Sequence, residues 1–228
     1  MKKLFYIVLI EEKKVLLSTN QVLKDEIELK IKELADNATI NKALILTETD
    51  LQCQIYKKLS EIEELNNFSN TDDGFSTNKI HTEISWFSDN NTDRLSIRPD
   101  ITLLEPRNLR ITSRFNGTPL PSKGLHSIDG GIIMELKFDR NLKTISEKNF
   151  RGIDKDIKNI EKIHNRFSSN GIGNQIYSYL ILFIKSPESS INRGKIRSIQ
   201  QELNNRGLND SKCKFIYHFI GVSLKGKK

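Results

Sequence analysis

Hydrophobic spacing in the first part of the chain follows a helical period. Apolar residues recur every three or four positions across residues 20–36, which predicts a helix capped by Asn20. The members of this stripe are Leu23, Ile27, Ile31 and Leu34. A second helix is predicted from about Thr49 to residues 66–67, with a stripe made of Leu51, Ile55, Leu59 and Ile62. Residues 4–17 contain two apolar runs around four charged residues, and their spacing fits a hairpin as well as a buried helix.

The period then changes to the alternation typical of strands. Residues 80–86 alternate apolar and polar side chains, with Glu83 on the polar face, and residues 95–104 form the next predicted strand. Residues 105–130 are rich in Pro, Gly and Arg, which predicts an insertion or a loose hairpin. A third strand, which carries Glu135, is predicted to follow directly after the two glycines of residues 130–131.

The last third of the chain alternates between helices and strands. Helical spacing returns in residues 147–167, and residues 177–184 form an apolar run that predicts a strand buried on both faces. A basic helix over residues 191–205 and a final strand over residues 215–222 complete the pattern. The core order is therefore helix, three strands, helix, strand, helix, strand. This order predicts an α/β fold in which a mixed sheet is flanked by helices.

The third predicted strand carries two charged residues within an apolar run. Because successive side chains of a strand point to opposite faces, Glu135 and Lys137 share one face with Ile133. The side chains expected to point into a core are Met134, Leu136 and Phe138. A carboxylate and an ammonium on a buried strand cost free energy unless they have a partner or a task.

Charge is distributed unevenly along the chain, whose formal net charge is +7. Residues 1–93 carry 11 Lys and Arg against 17 Asp and Glu, a net charge of −6. Residues 94–228 carry 25 against 12, a net charge of +13. This asymmetry indicates a body that binds a polyanion, with an acidic amino-terminal part. A soluble surface whose charges merely segregate is the alternative that charge alone leaves open.

Cysteine usage and the amino terminus favour a cytoplasmic protein. Cys53 and Cys213 lie 160 residues apart without a CxxC motif, which argues against a zinc site and against a disulfide framework. The apolar run of residues 4–10 imitates a signal peptide, but it is short and leads into four charged residues without a cleavage site. No other run approaches the length of a membrane span, so we expect no membrane partner.

Two short motifs carry the chemistry of the chain. Acidic-x-Lys triplets are frequent here, and others begin at Glu11, Glu12, Glu28, Asp156 and Asp210. Only the triplet Glu135-Leu136-Lys137 lies in a strand-like apolar run, and the chain has a single Pro-Asp dipeptide, Pro99-Asp100, upstream of it. The motifs and the element order together resemble the PD-(D/E)xK nuclease superfamily, the group of restriction endonucleases and many repair nucleases. The 35 residues from Asp100 to Glu135 are a long span for that family and indicate an insertion.

The resemblance covers roughly residues 47–222. It implies a restriction-endonuclease-like core, a mixed β-sheet flanked by helices. It also implies a division into a mainly helical N-terminal extension over residues 1–46 and a PD-(D/E)xK nuclease-like domain over residues 47–228.

The resemblance further implies a magnesium site. Asp100, Glu135 and the Leu136 backbone carbonyl would hold Mg²⁺, with Mn²⁺ as a substitute, because hard cations prefer carboxylate and carbonyl oxygens. Lys137 would hold or help to deprotonate the attacking water, with a pKa lowered by burial and raised again by the carboxylates beside it. Family members often add an acid near the first helix or strand, and Glu83 is the candidate for that position.

The implied function is that of a Mg²⁺-dependent endonuclease that hydrolyses DNA phosphodiester bonds, in restriction or anti-phage defence. Two alternatives stay open: a non-catalytic nucleic-acid-binding or structural module of the same fold, and a nuclease for RNA or branched DNA. A homodimer or another protein subunit is a further expected partner.

Several basic residues are candidates for phosphate contacts, although a solvated surface is the simpler interpretation of any single one. They are Arg107, Arg110 and Arg114 in the insertion, and Lys148, Arg151, Lys155 and Lys158 on the following helix. Gln175, before the fourth strand, is a candidate for lining the site.

Overall fold

A five-stranded mixed sheet with helices packed on both faces forms the centre of the protein. The computed structural model describes residues 16–87, 95–115, 118–125, 130–140, 145–169, 176–186 and 193–221. The α-helices of these ranges are α1 (Gln21–Ile40), α2 (Glu48–Leu59), α3 (Glu63–Asn66), α4 (Glu147–Ser169) and α5 (Gly194–Asn205). Short 3₁₀ helices span Leu17–Thr19 and Pro106–Asn108.

Strands of the described ranges form one large sheet and three small pairs. In chain order they are β1 (Ser69–Asn70), β2 (Ser76–Thr77), β3 (Ile80–Thr82), β4 (Trp86–Phe87), β5 (Leu95–Ile97), β6 (Ile101–Leu104), β7 (Leu109–Phe115), β8 (Thr118–Leu125), β9 (Gly131–Asp139), β10 (Ile176–Ile184) and β11 (Cys213–Phe219). The large sheet has the order β11-β10-β9-β6-β3. Strands β9, β10 and β11 are parallel, whereas β6 is antiparallel to β9, and β3 is antiparallel to β6.

The predicted order of core elements is confirmed. It is α2, then β3, β6 and β9, then α4, β10, α5 and β11. One face of the sheet packs in a hydrophobic cluster with α1 and α2, and the other face packs in a second cluster with α4 and α5. Every residue of β10 is buried, as expected of a strand covered on both sides. The fold is therefore α/β with a mixed sheet flanked by helices.

Helix α1 confirms the first helix prediction and belongs to the same core as the sheet. The Asn20 side chain accepts a hydrogen bond from Leu23 N at 3.1 Å, which caps the helix. The predicted stripe of Leu23, Ile27, Ile31 and Leu34 is buried. It packs together with α2 and with sheet residues such as Tyr179. The predicted limits of the N-terminal extension stay a prediction, and residues 4–15 of the undecided segment lie outside the described residues.

The second predicted helix is too long. Helix α2 ends at Leu59, and the separate short helix α3 follows. The Ser60 hydroxyl donates to the Tyr56 carbonyl at 2.9 Å, and Ile62 has an extended backbone with φ −82° and ψ 115°. Ile62 is nevertheless buried, so the apolar spacing that suggested one helix reflects two consecutive segments packed on one core.

Two predicted strands are each interrupted. The first breaks after β3, because Glu83 adopts a left-handed backbone conformation with φ 53°. The second breaks at Pro99, which has no N–H to donate to a ladder, so β5 and β6 belong to different sheets. The insertion over residues 105–130 contains an antiparallel hairpin of β7 and β8, which agrees with the hairpin alternative.

Both cysteines are free: Cys53 is exposed and Cys213 is buried. Within the described ranges, none of the helices combines the length and the apolar composition needed to cross a bilayer.

Candidate active site

The site lies where β6 stops pairing with β9. Their register runs from Leu104 opposite Gly131 to Ile101 opposite Met134, so β9 continues beyond its partner. Two carboxylates take over at that point. Asp100 Oδ2 accepts a hydrogen bond from Leu136 N at 2.7 Å, and Glu48 Oε2 accepts one from Phe138 N at 3.4 Å. Side chains thus satisfy N–H groups of β9 that the strand ladder leaves open.

The predicted alternation of β9 side chains is confirmed. Met134, Leu136 and Phe138 enter the hydrophobic cluster with α1 and α2, and Ile133 enters the cluster with α4. Because successive side chains of a strand point to opposite faces, Glu135 and Lys137 lie on the same face of β9 as Ile133, which is the face covered by α4. Glu135 is only 5% exposed, so its carboxyl group is buried within this layer.

Asp100 occupies the turn between Pro99 and β6. Its backbone carbonyl accepts a hydrogen bond from Gln52 Nε2 at 2.7 Å, which ties the turn to α2. Burial raises the pKa of Asp100 to about 6, and the charges of Glu48 and Asp156 add to the rise. The Leu136 N–H and the Lys137 ammonium act in the opposite direction.

Glu135 shares this electrostatic environment. Burial raises the pKa of Glu135 well above its usual range, and the neighbouring carboxylates of Asp156 and Asp100 raise it further. The charge of Asp100, in the turn before β6, is one of the causes of the raised pKa of Glu135, so the two predicted ligands are near enough to interact electrostatically. Buried carboxylates of this kind favour either protonation or a cation.

Lys137 is the cation that the structure places among these oxygens. Its Nζ lies 3.0 Å from the Leu136 carbonyl oxygen, 3.0 Å from Asp156 Oδ2 and 3.3 Å from Glu48 Oε1. Burial alone would lower the pKa of Lys137, but the charges of Asp156 and Glu48 outweigh it and raise that pKa above its ordinary value. Lys137 is therefore a protonated ammonium in this arrangement, because the carboxylates raise its pKa by more than burial lowers it.

Three residues of the site escaped the sequence reasoning: Glu48, Gln52 and Asp156. Glu48 is in the first turn of α2, directly after the cap residue Thr47, where an acid is usually explained by the helix dipole. Asp156 starts one of the frequent acidic-x-Lys triplets and was set aside with them. The feature that could have identified Asp156 is its position among the apolar residues of α4, since Ile153, Ile157 and Ile160 are all buried around it.

Glu83 is the predicted accessory acid, a role that stays a prediction. The residue is exposed and follows the end of β3. The additional carboxylates that act on both Asp100 and Glu135 belong to Glu48 and Asp156. Of the two, Glu48 comes from the first helix of the core order, so it fits the accessory position better than Glu83.

The predicted phosphate-contacting residues are placed only in part. Arg107 and the four basic residues of α4, Lys148, Arg151, Lys155 and Lys158, are exposed. Lys158 forms an ion pair with Asp154 at 2.6 Å. Arg110 and Arg114 belong to β7, but their side chains lie outside the described part of the structure, and so does Gln175. Their contacts with nucleic acid stay predictions.

The side chains of the site offer carboxylate oxygens to a divalent cation. No group of three or more His, Cys, Asp and Glu side chains in the described ranges is arranged to hold a metal ion. Mg²⁺ needs fewer protein ligands, since it is usually bound through one or two carboxylates and keeps several waters. The charges of Asp156, Asp100 and Glu48 raise the pKa of Glu135, whereas the Lys137 ammonium lowers it. A cation among these carboxyl groups would offset their repulsion, so the groups fit a small hard cation.

Comparison with known proteins adds no relative: the chain matches no protein-family model, no curated protein and no solved structure.

Proposed function

We propose that the protein is a Mg²⁺-dependent endonuclease that hydrolyses DNA phosphodiester bonds. The observation that carries the proposal is the electrostatic interaction of Asp100, in the turn before β6, with Glu135 of the neighbouring strand β9, which also carries Lys137. The order of the elements and the antiparallel pairing of β6 with β9 support a restriction-endonuclease-like core of the PD-(D/E)xK type.

The residues have distinct roles in this proposal. Asp100, Glu135 and the Leu136 carbonyl would hold the Mg²⁺, which would neutralise the charge that develops on the phosphoryl oxygens. Mn²⁺ would substitute, because it accepts the same oxygen ligands. Lys137 donates hydrogen bonds from its ammonium, and would align the attacking water beside the phosphate. Glu48 adds a carboxylate from the start of α2 to the same cluster.

The basic part of the chain supports a polyanionic substrate. Residues 94–228 have a net charge of +13, and α4 carries Arg151 and Lys155 on its exposed surface, beside Asp156 of the site. Phosphate contacts from such side chains supply most of the non-specific affinity of DNA-binding proteins. The biological setting of the proposal is cytoplasmic restriction or anti-phage defence, with a homodimer or another subunit as a partner.

A second candidate function is a non-catalytic nucleic-acid-binding or structural module. The ion pair between Lys137 and Asp156, at 3.0 Å, is the observation that favours it, because a buried pair can serve the fold alone. RNA and branched DNA remain alternative substrates of the catalytic proposal.

One set of assays tests these proposals. Supercoiled, linear and single-stranded DNA, RNA and a four-way junction are incubated with Mg²⁺, Mn²⁺, Ca²⁺ or a chelator. We expect cleavage of DNA with Mg²⁺ or Mn²⁺ and its loss in Glu135→Gln, which preserves side-chain shape. Asp154→Asn, an exposed change on α4, is the matched control and should cleave like the parent. Binding of DNA without cleavage under every metal condition would favour the module instead.

A further inference from the structure

The ammonium of Lys137 is held against α4 by two features of that helix. An added Cβ at Gly152 would lie 3.4 Å from Lys137 Cε, so the lysine stem passes over the glycine. Asp156 is one helical turn further on, and positions four apart share a helix face. Its Oδ2 lies 3.0 Å from Lys137 Nζ. The lysine stem thus lies over Gly152, and the ammonium at its end forms an ion pair with Asp156.

Burial of an acidic side chain at position 156 costs free energy. The residue is only 9% exposed and lies among buried isoleucines of α4. Its Oδ2 is buried, and the Lys137 ammonium lies 3.0 Å from it. A buried carboxylate costs free energy unless its partners compensate for the lost solvation. A helix with only a packing role would be served better by an apolar residue here.

The three partners of the Lys137 ammonium differ in what a bound cation would do to them. The Leu136 carbonyl oxygen is one of the proposed metal ligands, so a cation there would repel the ammonium. Glu48 is a side chain that is 45% exposed and can turn toward the same cation. Asp156 is buried on a long helix, so of the two acidic partners it has the less freedom to turn toward the cation.

We propose that Asp156 is a positioning residue for the reaction: it holds the Lys137 ammonium in place when a divalent cation occupies the acidic cluster. This inference rests on the proposed nuclease function. Asp156 itself does not touch the substrate; it acts through Lys137. Gly152 contributes to the same arrangement, because a side chain that extends beyond Cβ would enter the space of the lysine stem, whereas an added Cβ alone would only touch it.

The test combines a structural readout with a kinetic one. Acylation of Lys137 by a small amine-reactive reagent, followed by peptide mass spectrometry, reports how firmly the ammonium is held without any need for cleavage. Asp156→Asn should raise the acylation rate of Lys137 several-fold and lower kcat by about 10–100-fold, the usual range for supporting partners of a site. KM for DNA should stay at the parent value, and Asp156→Glu should recover part of kcat. Asp154→Asn should leave both readouts unchanged.

Three results would overturn the inference. One is an Asp156→Asn variant that cleaves DNA and acylates at parent rates. Another is a loss of cleavage in Asp156→Asn that disappears when kcat is expressed per folded molecule. If Asp156→Asn does not fold, Gly152→Val is used in its place, because its branched side chain enters the path of the lysine stem while Asp156 remains. A kcat equal to that of the parent in Gly152→Val is the third such result.

A parent protein that cleaves no substrate with any divalent ion would overturn the proposed function, and this inference with it. The acylation rates of Lys137 would still report on the ion pair separately.

Discussion

Asp100 and Leu136 are joined by a short hydrogen bond, 2.7 Å from the Leu136 nitrogen to the Asp100 carboxylate, at the point where β6 no longer pairs with β9. Through this bond to the backbone of Leu136, the Asp100 carboxylate is held near Glu135. Pro99 stands directly before Asp100, and because proline has no N–H to donate to a ladder, the strand pairing ends there.

The pH dependence of stability should reveal the raised pKa of Asp100. Its pKa is about 6 in the folded protein, against an ordinary value of 3.8. Between these values the folded state binds more protons than the unfolded state, so stability falls as pH rises through this window. The contribution is about 3 kcal/mol at most. Asp100→Asn should remove it, so the difference in unfolding free energy between variant and parent should grow in favour of the variant from pH 4 to pH 6. Denaturant unfolding in a chelator measures this, and a difference that is constant with pH would contradict the raised pKa.

Divalent cations should stabilise the parent protein. A cation that binds only the folded state adds about 2.7 kcal/mol at a concentration of 100 times its Kd. We therefore expect Tm to rise with Mg²⁺ or Mn²⁺, and to stay flat in Asp100→Ala. The metal-free Tm of Asp100→Ala can exceed that of the parent, because the repulsion with Glu135 is removed. Equal shifts in both proteins would place the cation elsewhere.

Binding and cleavage should separate in variants of β9. Glu135→Ala and Lys137→Ala are expected to lose turnover but to keep DNA binding, because affinity comes mainly from basic residues outside the cluster. Binding should weaken as salt increases, with similar slopes for variants and parent. Fluorescence anisotropy with a labelled duplex at several salt concentrations measures both. A folded variant that no longer binds would show that the cluster itself provides the affinity.

Glu48 and Glu83 offer a matched comparison. Glu48 lies 3.3 Å from Lys137 Nζ, whereas Glu83 is exposed beyond β3. Glu48→Gln should reduce cleavage by about 10–100-fold. Its effect on Tm should be small, because the Glu48 side chain is 45% exposed. Glu83→Gln should have parent activity. The reverse result, with Glu83 essential and Glu48 dispensable, would restore Glu83 as the accessory acid.

Local patterns of the sequence were sufficient for most of the elements. The cap at Asn20 and the stripe of α1 depend on neighbouring residues only, and both are observed. The same holds for the apolar run of β10, because burial on both faces leaves a continuous signal. Interruptions were harder to predict. The breaks at Glu83 and Pro99 depend on which strand each half pairs with, and pairing is a non-local choice.

The face of β9 on which Glu135 and Lys137 lie could be predicted from the sequence, because alternation is a property of every strand. The choice of Asp100 as their companion came from the resemblance of the dipeptide Pro99-Asp100 to a family motif. Glu48 and Asp156 meet these residues only through the folding of the chain. These residues are 89 positions before and 19 positions after Lys137, on two helices that cover opposite faces of the sheet. No local pattern encodes that meeting, since it arises where β6 ends and leaves space beside β9 for the start of α2. The protonation of Lys137 was decided there too, because burial and the nearby carboxylates act on it in opposite directions and their balance depends on distances that spacing in the chain does not contain.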